Sequence, residues 1–406
     1  MTIRVLYVHQ YFNTRHMSGG TRSYELAHRL VGSGYEVTML TADRTKTFGL
    51  ARHENIDGIH VIWIPGAYSN KYGNLRKIIS FGLFSALSCF YALFLKFDVV
   101  FATSTPLTVG LPALLAKKIR RKPYVFEVRD LWPEMPIAVG ALKNKRFISV
   151  LCWLERTIYK NATALIGLSP GMSKGIRDVL QKSGVSRPVY DAPNSCDFDV
   201  MCAPTDPDYT MRRQSMRAKL GLRDNQTMLL YAGTFGILND LEYLLSLARQ
   251  TKDDASFIYV VVGGGVKDDE LRAAISGENL HNVMAIGRVN KTAIADYFAA
   301  CDIGMSLFIA IPEMEKNSAN KFFDTLAAGK PIILNYGGWQ QDFIKKYQIG
   351  TQLSRDAVIA RSELTTFTQG LHNITVEQIL IAADMFSREK TFITVKKALD
   401  LAYQHG

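Results

Sequence analysis

The sequence predicts an α/β protein of two domains, each built on a doubly wound parallel sheet. Three observations predict it. First, 406 residues can hold two cores of ordinary size, and 48% hydrophobic with 21% charged residues describes a folded chain rather than a disordered one. Second, the amino end alternates an apolar run, a glycine-bounded loop, a helical pattern and another apolar run, which is how such a sheet opens. Third, the same alternation restarts at Thr227.

Residues 3–8 read as a buried strand, the loop 9–20 closes on Gly19-Gly20, and residues 21–33 read as a helix. A strand at 36–41 follows, with Gly32 and Gly34 punctuating the turn. A helix starting directly after two glycines offers free N–H groups and its positive dipole end, and the glycines let a phosphate come close. An ordinary glycine loop has the same sequence.

Residues 78–95 run 18 residues without a charge, flanked by Arg76, Lys77 and Lys96. That is the lower limit for a bilayer span. Ser80, Gly82, Ser85 and Ser88 dilute its apolarity and a strand follows at once, so the stretch reads as a packed crossover helix with one membrane-facing side. Lys71, Arg76, Lys77 and the run Lys117, Lys118, Arg120, Arg121, Lys122 offer charge to lipid headgroups, on the order of 1 kcal/mol each. Solvated lysines at a helix end give the same pattern.

Strands at 98–102 and 124–128 precede Arg129-Asp130-Leu131-Trp132-Pro133-Glu134. A polar cluster just past a strand's carboxyl end lies where ligands sit in open α/β sheets. Asp130 and Glu134 are candidate carboxylates, and Arg129 suits an anionic or hydroxyl-rich partner; the same residues also fit a helix start. A strand at 165–168 leads to Ser169-Pro170, an N-cap followed by an N1 proline. Asp197-x-Asp199 and Asp206-x-Asp208 both spell DxD, a motif too short to indicate a metal.

The second series has strands at 228–232, 257–262, 283–286 and 301–306, and helices at 241–250 and 268–274. Gly263-Gly264-Gly265 and Gly287-Arg288 stand at strand ends. The chain is organised around 317–338. There Lys321 and Asp324 lie three apart on a helix-compatible run, Gly329 stops the helix, and a strand at 332–334 ends in a loop holding Gly337-Gly338. A short carboxylate can accept from two ribose hydroxyls and an ammonium can face a diphosphate. A surface ion pair on an ordinary helix fits the same spacing.

Lys321-Phe322-Phe323-Asp324, followed by Ala327-Ala328-Gly329-Lys330-Pro331, resembles the nucleotide-binding helix of retaining glycosyltransferases of family 4. These have the GT-B fold, two Rossmann-like domains facing a central cleft. With Gly19-Gly20, the 129–134 segment and Ala192-Pro193-Asn194, the resemblance spans nearly the full chain in order. It is strongest to the branch acting in O-antigen, capsule and colanic-acid assembly. It implies an acceptor domain at 1–192, a linker at 193–226, a nucleotide-sugar domain at 227–385, and a last segment, 386–406, crossing back to the first domain.

The resemblance also implies retention of anomeric configuration, with no cofactor and no metal. The donor is a UDP-sugar, N-acetyl-L-fucosamine or a related amino sugar, and the acceptor a polyprenyl-diphosphate-linked saccharide. Gly19, Gly20, Arg288, Lys321, Asp324, Gly337 and Gly338 are the donor-side residues, Asp130 the catalytic candidate, and Arg129 and Glu134 the acceptor side. Two departures stand out. The family's Arg and Lys after the second domain's first strand are missing from 233–239, and Lys316 and Asp324 stand where its two glutamates would be.

A formal charge of +11 favours an anionic surface, here the inner membrane leaflet of a peripheral cytoplasmic protein. The five cysteines form no CxxC pair, which fits a reducing compartment. Two other readings use the same sequence: a UDP-sugar 2-epimerase on this fold, and a non-catalytic basic binder. Nucleic acid is disfavoured as a partner because the aromatic residues keep core spacing and do not interleave with a basic stripe.

Overall fold

The computed structural model of the protein describes residues 2–17, 19–45, 49–66 and 74–406. The first lobe holds β1 (Arg4–Val8), β2 (Glu36–Asp43), β3 (Arg52–Ile56), β4 (Ile59–Pro65), β5 (Val99–Thr103), β6 (Tyr124–Val128), β7 (Ala164–Gly167) and β8 (Val189–Asp191). They form one sheet in the order β3-β4-β2-β1-β5-β6-β7-β8, parallel except for β3 against β4. Every residue of β5 and β6 is buried, as a parallel sheet covered by helices on both faces requires. One face packs Leu6, Val8, Val100 and Phe126; the other packs Val5, Tyr7, Val99 and Val125.

The second lobe holds β9 (Thr227–Thr234), β10 (Phe257–Gly264), β11 (Val283–Ile286), β12 (Ile303–Ser306), β13 (Ile332–Leu334) and β14 (Gly350–Gln352). Its sheet is wholly parallel, ordered β11-β10-β9-β12-β13-β14. That is the strand order of dinucleotide-binding folds. In each lobe the order reverses beside the first strand, β1 or β9. The loops leaving those strands therefore open onto the crevice where α/β proteins bind ligands.

Three features depart from the sequence reading. The β3–β4 hairpin was not read, although its Asp57-Gly58 turn, with φ of 50° and 83°, is a strong hairpin signal. Within 193–226, the helix Tyr209–Lys219 packs against the helix Lys291–Ala300, and Arg212, Arg213 and Arg217 pair with Asp296 and Asp302 of the second lobe. That helix belongs to the second lobe, so the connection shortens to 193–208. Finally, Arg120 donates to the carbonyls of Ala92 and Leu95, closing the end of helix Asn74–Phe94, and Lys122 pairs with Asp98. Of the basic run, these two are thus occupied; Lys71 and the side chains of Arg76 and Lys77 lie outside the described residues.

Among the described residues no helix is long and apolar enough to cross a membrane. The helix Asn74–Phe94 sinks Phe84 and Ala92 into the core and leaves Phe90 and Phe94 exposed. The last helix, Arg388–Gln404, returns to the first lobe, buries Phe392, Val395 and Leu399, and packs against β5, β6, β7 and β8. Each such burial contributes about 1.5–3 kcal/mol, so the return is a firm attachment.

Candidate active site

A cavity of about 350 Å³ lies between the lobes. Its first-lobe wall is the Gly19-Gly20 loop and the start of helix Arg22–Gly32. Its second-lobe wall comes from the ends of β9, β10 and β11 and from the helix Asn320–Ala327. Neither helix has a side chain capping its amino end, so backbone N–H groups are left to face the cavity from both sides.

Gly19 is required there by its backbone, and Gly20 has little room for a side chain. Gly19 has φ of 129°, and a Cβ on it would stand 2.8 Å from Asn13 Nδ2. A Cβ on Gly20 would stand 3.2 Å from Asn320 Nδ2 in the other lobe. The first lobe's loop therefore lies against the Asn320 side chain at the start of the second lobe's helix.

Lys321 is buried. Its Nζ donates to Asn239 Oδ1 at 2.7 Å and to Leu307 O and Tyr231 Oη at 3.3 Å, and it lies over the rings of Tyr231 and Phe308. No carboxylate pairs with it among the described residues, and burial pulls its pKa down from 10.5 to about 7. Asp324, one turn on, is engaged differently: Lys291 Nζ donates to its Oδ1 at 2.5 Å. Spacing put Lys321 and Asp324 on one face. The structure turns the ammonium under the cavity floor and the carboxylate along its side.

Arg288 is exposed at the cavity edge and donates to Gly264 O at 3.3 Å. Towards the connection between the lobes, Glu25 is buried among Arg15, Arg29 and Arg388. Burial alone would raise its pKa, but Arg15 and Arg388 hold it down at about 2. Arg388 also donates to Asp197, which fastens the last helix to the crossover. Arg22 is no free cation: it pairs with buried Glu127 at 2.8 Å and donates to Pro193 O and Ala192 O.

The other predicted residues do not line this cavity. Arg129 lies beside it, with Nη2 3.9 Å from where a Cβ on Gly20 would be. Its Nη1 is 3.3 Å from His9 Nε2. A guanidinium only donates, so Nε2 accepts, and Nδ1 donates its proton to Ser23 Oγ at 2.7 Å. Burial first, then Arg129 and Arg44, keep this imidazole neutral. Asp130 accepts from Thr105 Oγ1 at 2.6 Å instead of capping a helix. Glu134 accepts from Lys316 Nζ at 2.9 Å, a bridge between lobes. Gly337 and Gly338 stand against Glu315, so their close approach is to the 3-10 helix Pro312–Lys316 of the same lobe.

Lys316 is one end of a clamp. Ser169 Oγ donates to its carbonyl at 2.5 Å, and Asn194 Nδ2 donates to Ser318 O at 2.5 Å. The short segment leading into helix Asn320–Ala327 therefore fastens onto the first lobe at Glu134 and Ser169 and onto the connection at Asn194. Lys291, Asn194, Arg29 and Arg388 were absent from the sequence-based set; all but Arg29, which pairs with Glu25 one turn away, enter the site through a contact far along the chain. Among the described residues no group of three or more Asp, Glu, His or Cys is placed to hold a metal.

Two family models match the two lobes in order. The description glycosyl transferase 4-like domain covers residues 19–185, and glycosyl transferases group 1 covers 212–360. The chain is a glycosyltransferase with the GT-B fold, built from a 4-like domain and a group 1 domain. The colanic acid biosynthesis glycosyl transferase named WcaI of Escherichia coli is 22% identical over 279 residues, which are 65% of this chain and 66% of that one. Sucrose-phosphate synthase of Thermosynechococcus elongatus shares the fold with a TM-score of 0.76 at 14% identity, covering 100% of both chains. HepE of Anabaena, solved with UDP-glucose, gives a TM-score of 0.69 at 14% identity, covering 98% of this glycosyltransferase and 99% of HepE.

Proposed function

We propose that this glycosyltransferase moves a sugar, with retention, from a UDP-sugar to a polyprenyl-diphosphate-linked saccharide in bacterial surface polysaccharide assembly. The observation that carries the reading is the interlobe cavity. It sets Asp324 and Lys321 of the second lobe opposite the Gly19-Gly20 loop of the first. Asp324 takes ribose hydroxyls. The leaving diphosphate is met by Lys321, Arg288 and the N–H groups at the two helix starts, in place of the missing Arg and Lys. With leaving phosphate and incoming hydroxyl on one face of the sugar, no protein nucleophile is needed, and the protein mainly orients the reactants. Asp130 contacts the transferred sugar or the acceptor hydroxyl, with Arg129 and Glu134 on the acceptor side.

The donor is N-acetyl-L-fucosamine in its UDP form or a related amino sugar. The acceptor's lipid is reached from the anionic inner leaflet. Exposed Phe90, Phe94 and Ile119 on two packed first-lobe helices, with Lys117 and Lys118 beside them, support contact there. The test is to incubate the protein with a panel of UDP-sugars and a short polyprenyl-diphosphate saccharide and weigh the products. A glycosylated lipid bears the proposal out; an epimerised donor formed without acceptor overturns it.

A further inference from the structure

The cavity holds an ion pair whose cation has no part in the reading so far. Lys291 Nζ lies 2.5 Å from Asp324 Oδ1, and each side chain is only 14% exposed. Both residues line the cavity. They come from different helices, Lys291–Ala300 and Asn320–Ala327.

The placement of Lys291 is unfavourable by itself. It is the first residue of its helix, just after Asn290, whose side chain accepts from Ala293 N at 2.8 Å. A cation there opposes the helix dipole, where a carboxylate would be favoured. Asp324 offsets that, yet leaves the pair open. Among the described residues Lys291 Nζ makes one polar contact, to Oδ1, and Oδ2 of Asp324 makes none. Two ammonium hydrogens and one carboxylate oxygen remain available at the cavity wall.

We infer that Lys291 and Asp324 form a clamp for a vicinal diol, and that Lys291 is a specificity-determining residue which reads the donor's ribose. This rests on the proposed nucleotide reading of the cavity. The chemistry follows from what each group can do. An ammonium only donates, a carboxylate only accepts, and a hydroxyl does both. Two adjacent hydroxyls satisfy the clamp together, one or both donating to Asp324 and accepting from Lys291. The pair is formally neutral, so it adds no net charge for a diphosphate, and hydroxyls are its natural ligands. Removing either hydroxyl leaves a partly desolvated charged group unpaired, which is how sites built to bond a hydroxyl reject analogues lacking it.

Calorimetry with UDP, 2′-deoxy-UDP and 3′-deoxy-UDP on the full-length protein tests this. The native protein is expected to prefer UDP over either deoxy analogue by roughly ten- to a hundredfold, the range for a hydrogen bond to a charged group. In Lys291→Met the preference shrinks to within about threefold and UDP binding weakens by a similar factor to the native preference. Melting of each protein without nucleotide separates a fold defect from a site defect. Native protein that binds the deoxy analogues as tightly as UDP overturns the clamp without reference to any variant. So does a folded Lys291→Met that keeps both affinity and preference. Absence of UDP binding to the native protein overturns the nucleotide reading itself, which is a different result.

Discussion

Replacing Lys321 with Met tests the role of a buried cation in this site. The ammonium is pulled from 10.5 to about 7 by burial. That difference corresponds to about 5 kcal/mol against the charged form. Its oxygen partners on Asn239, Leu307 and Tyr231, and the two ring faces, hold the ammonium in place. The sign follows from proton counts. The folded value lies below the unfolded one, so the unfolded chain holds more protons between about pH 7 and 10.5, and stability rises across that window. The contribution is complete above pH 10.5 and lost as pH falls through about 7. Near pH 7 the variant gives up these contacts and escapes the charge burial, so the slope with pH is the informative quantity. Urea unfolding at pH 7 and pH 9.5 should show the native protein gaining up to a few kcal/mol relative to Lys321→Met. Binding a diphosphate favours the ammonium, so UDP affinity of the native protein should fall as pH rises above about 7. Lys321→Met should lose that dependence and bind UDP roughly ten- to a hundredfold more weakly at pH 7. Parallel stability profiles together with unchanged UDP affinity would refute the reasoning.

Three further outcomes follow from the same geometry. Asp324→Ala should weaken UDP binding by about tenfold or more, read by calorimetry, while the circular dichroism spectrum is unchanged. Gly19→Val places a β-branched residue at φ of 129° and 2.8 Å from Asn13, so it should cost about 1–3 kcal/mol in urea unfolding and sharply lower the transfer rate. Phe90→Ser with Phe94→Ser should reduce sedimentation with anionic vesicles and leave UDP affinity as it was; unchanged sedimentation would remove those rings from the lipid contact.

Much of the fold was legible because its strands are apolar runs stopped by glycine or proline. Met228–Ala232 before Gly233 and Phe257–Val262 before Gly263 are both of that kind. The helix Tyr209–Lys219 was not, because its buried side consists of Met216 and Arg217, and polar composition reads as a linker. Only the fold reveals that Asp302 stands ready for its arginines. The site was legible to the extent that one helix carries it. Asp324 is at the cavity wall, as are Gly19 and Gly20. What spacing does not disclose is direction. Lys321 lies against aromatic rings because Tyr231 sits in β9 and Phe308 just past neighbouring β12, and Lys291 meets Asp324 across 33 residues. Glu134 was read as facing an acceptor, and its partner in the structure is Lys316 of the other lobe.

The most direct measurement is a crystal structure of the protein soaked with UDP. The account predicts ribose on Asp324 and phosphates between Gly19-Gly20 and the start of helix Asn320–Ala327. Nucleotide bound elsewhere, with this cavity holding only solvent at saturating UDP, would contradict it.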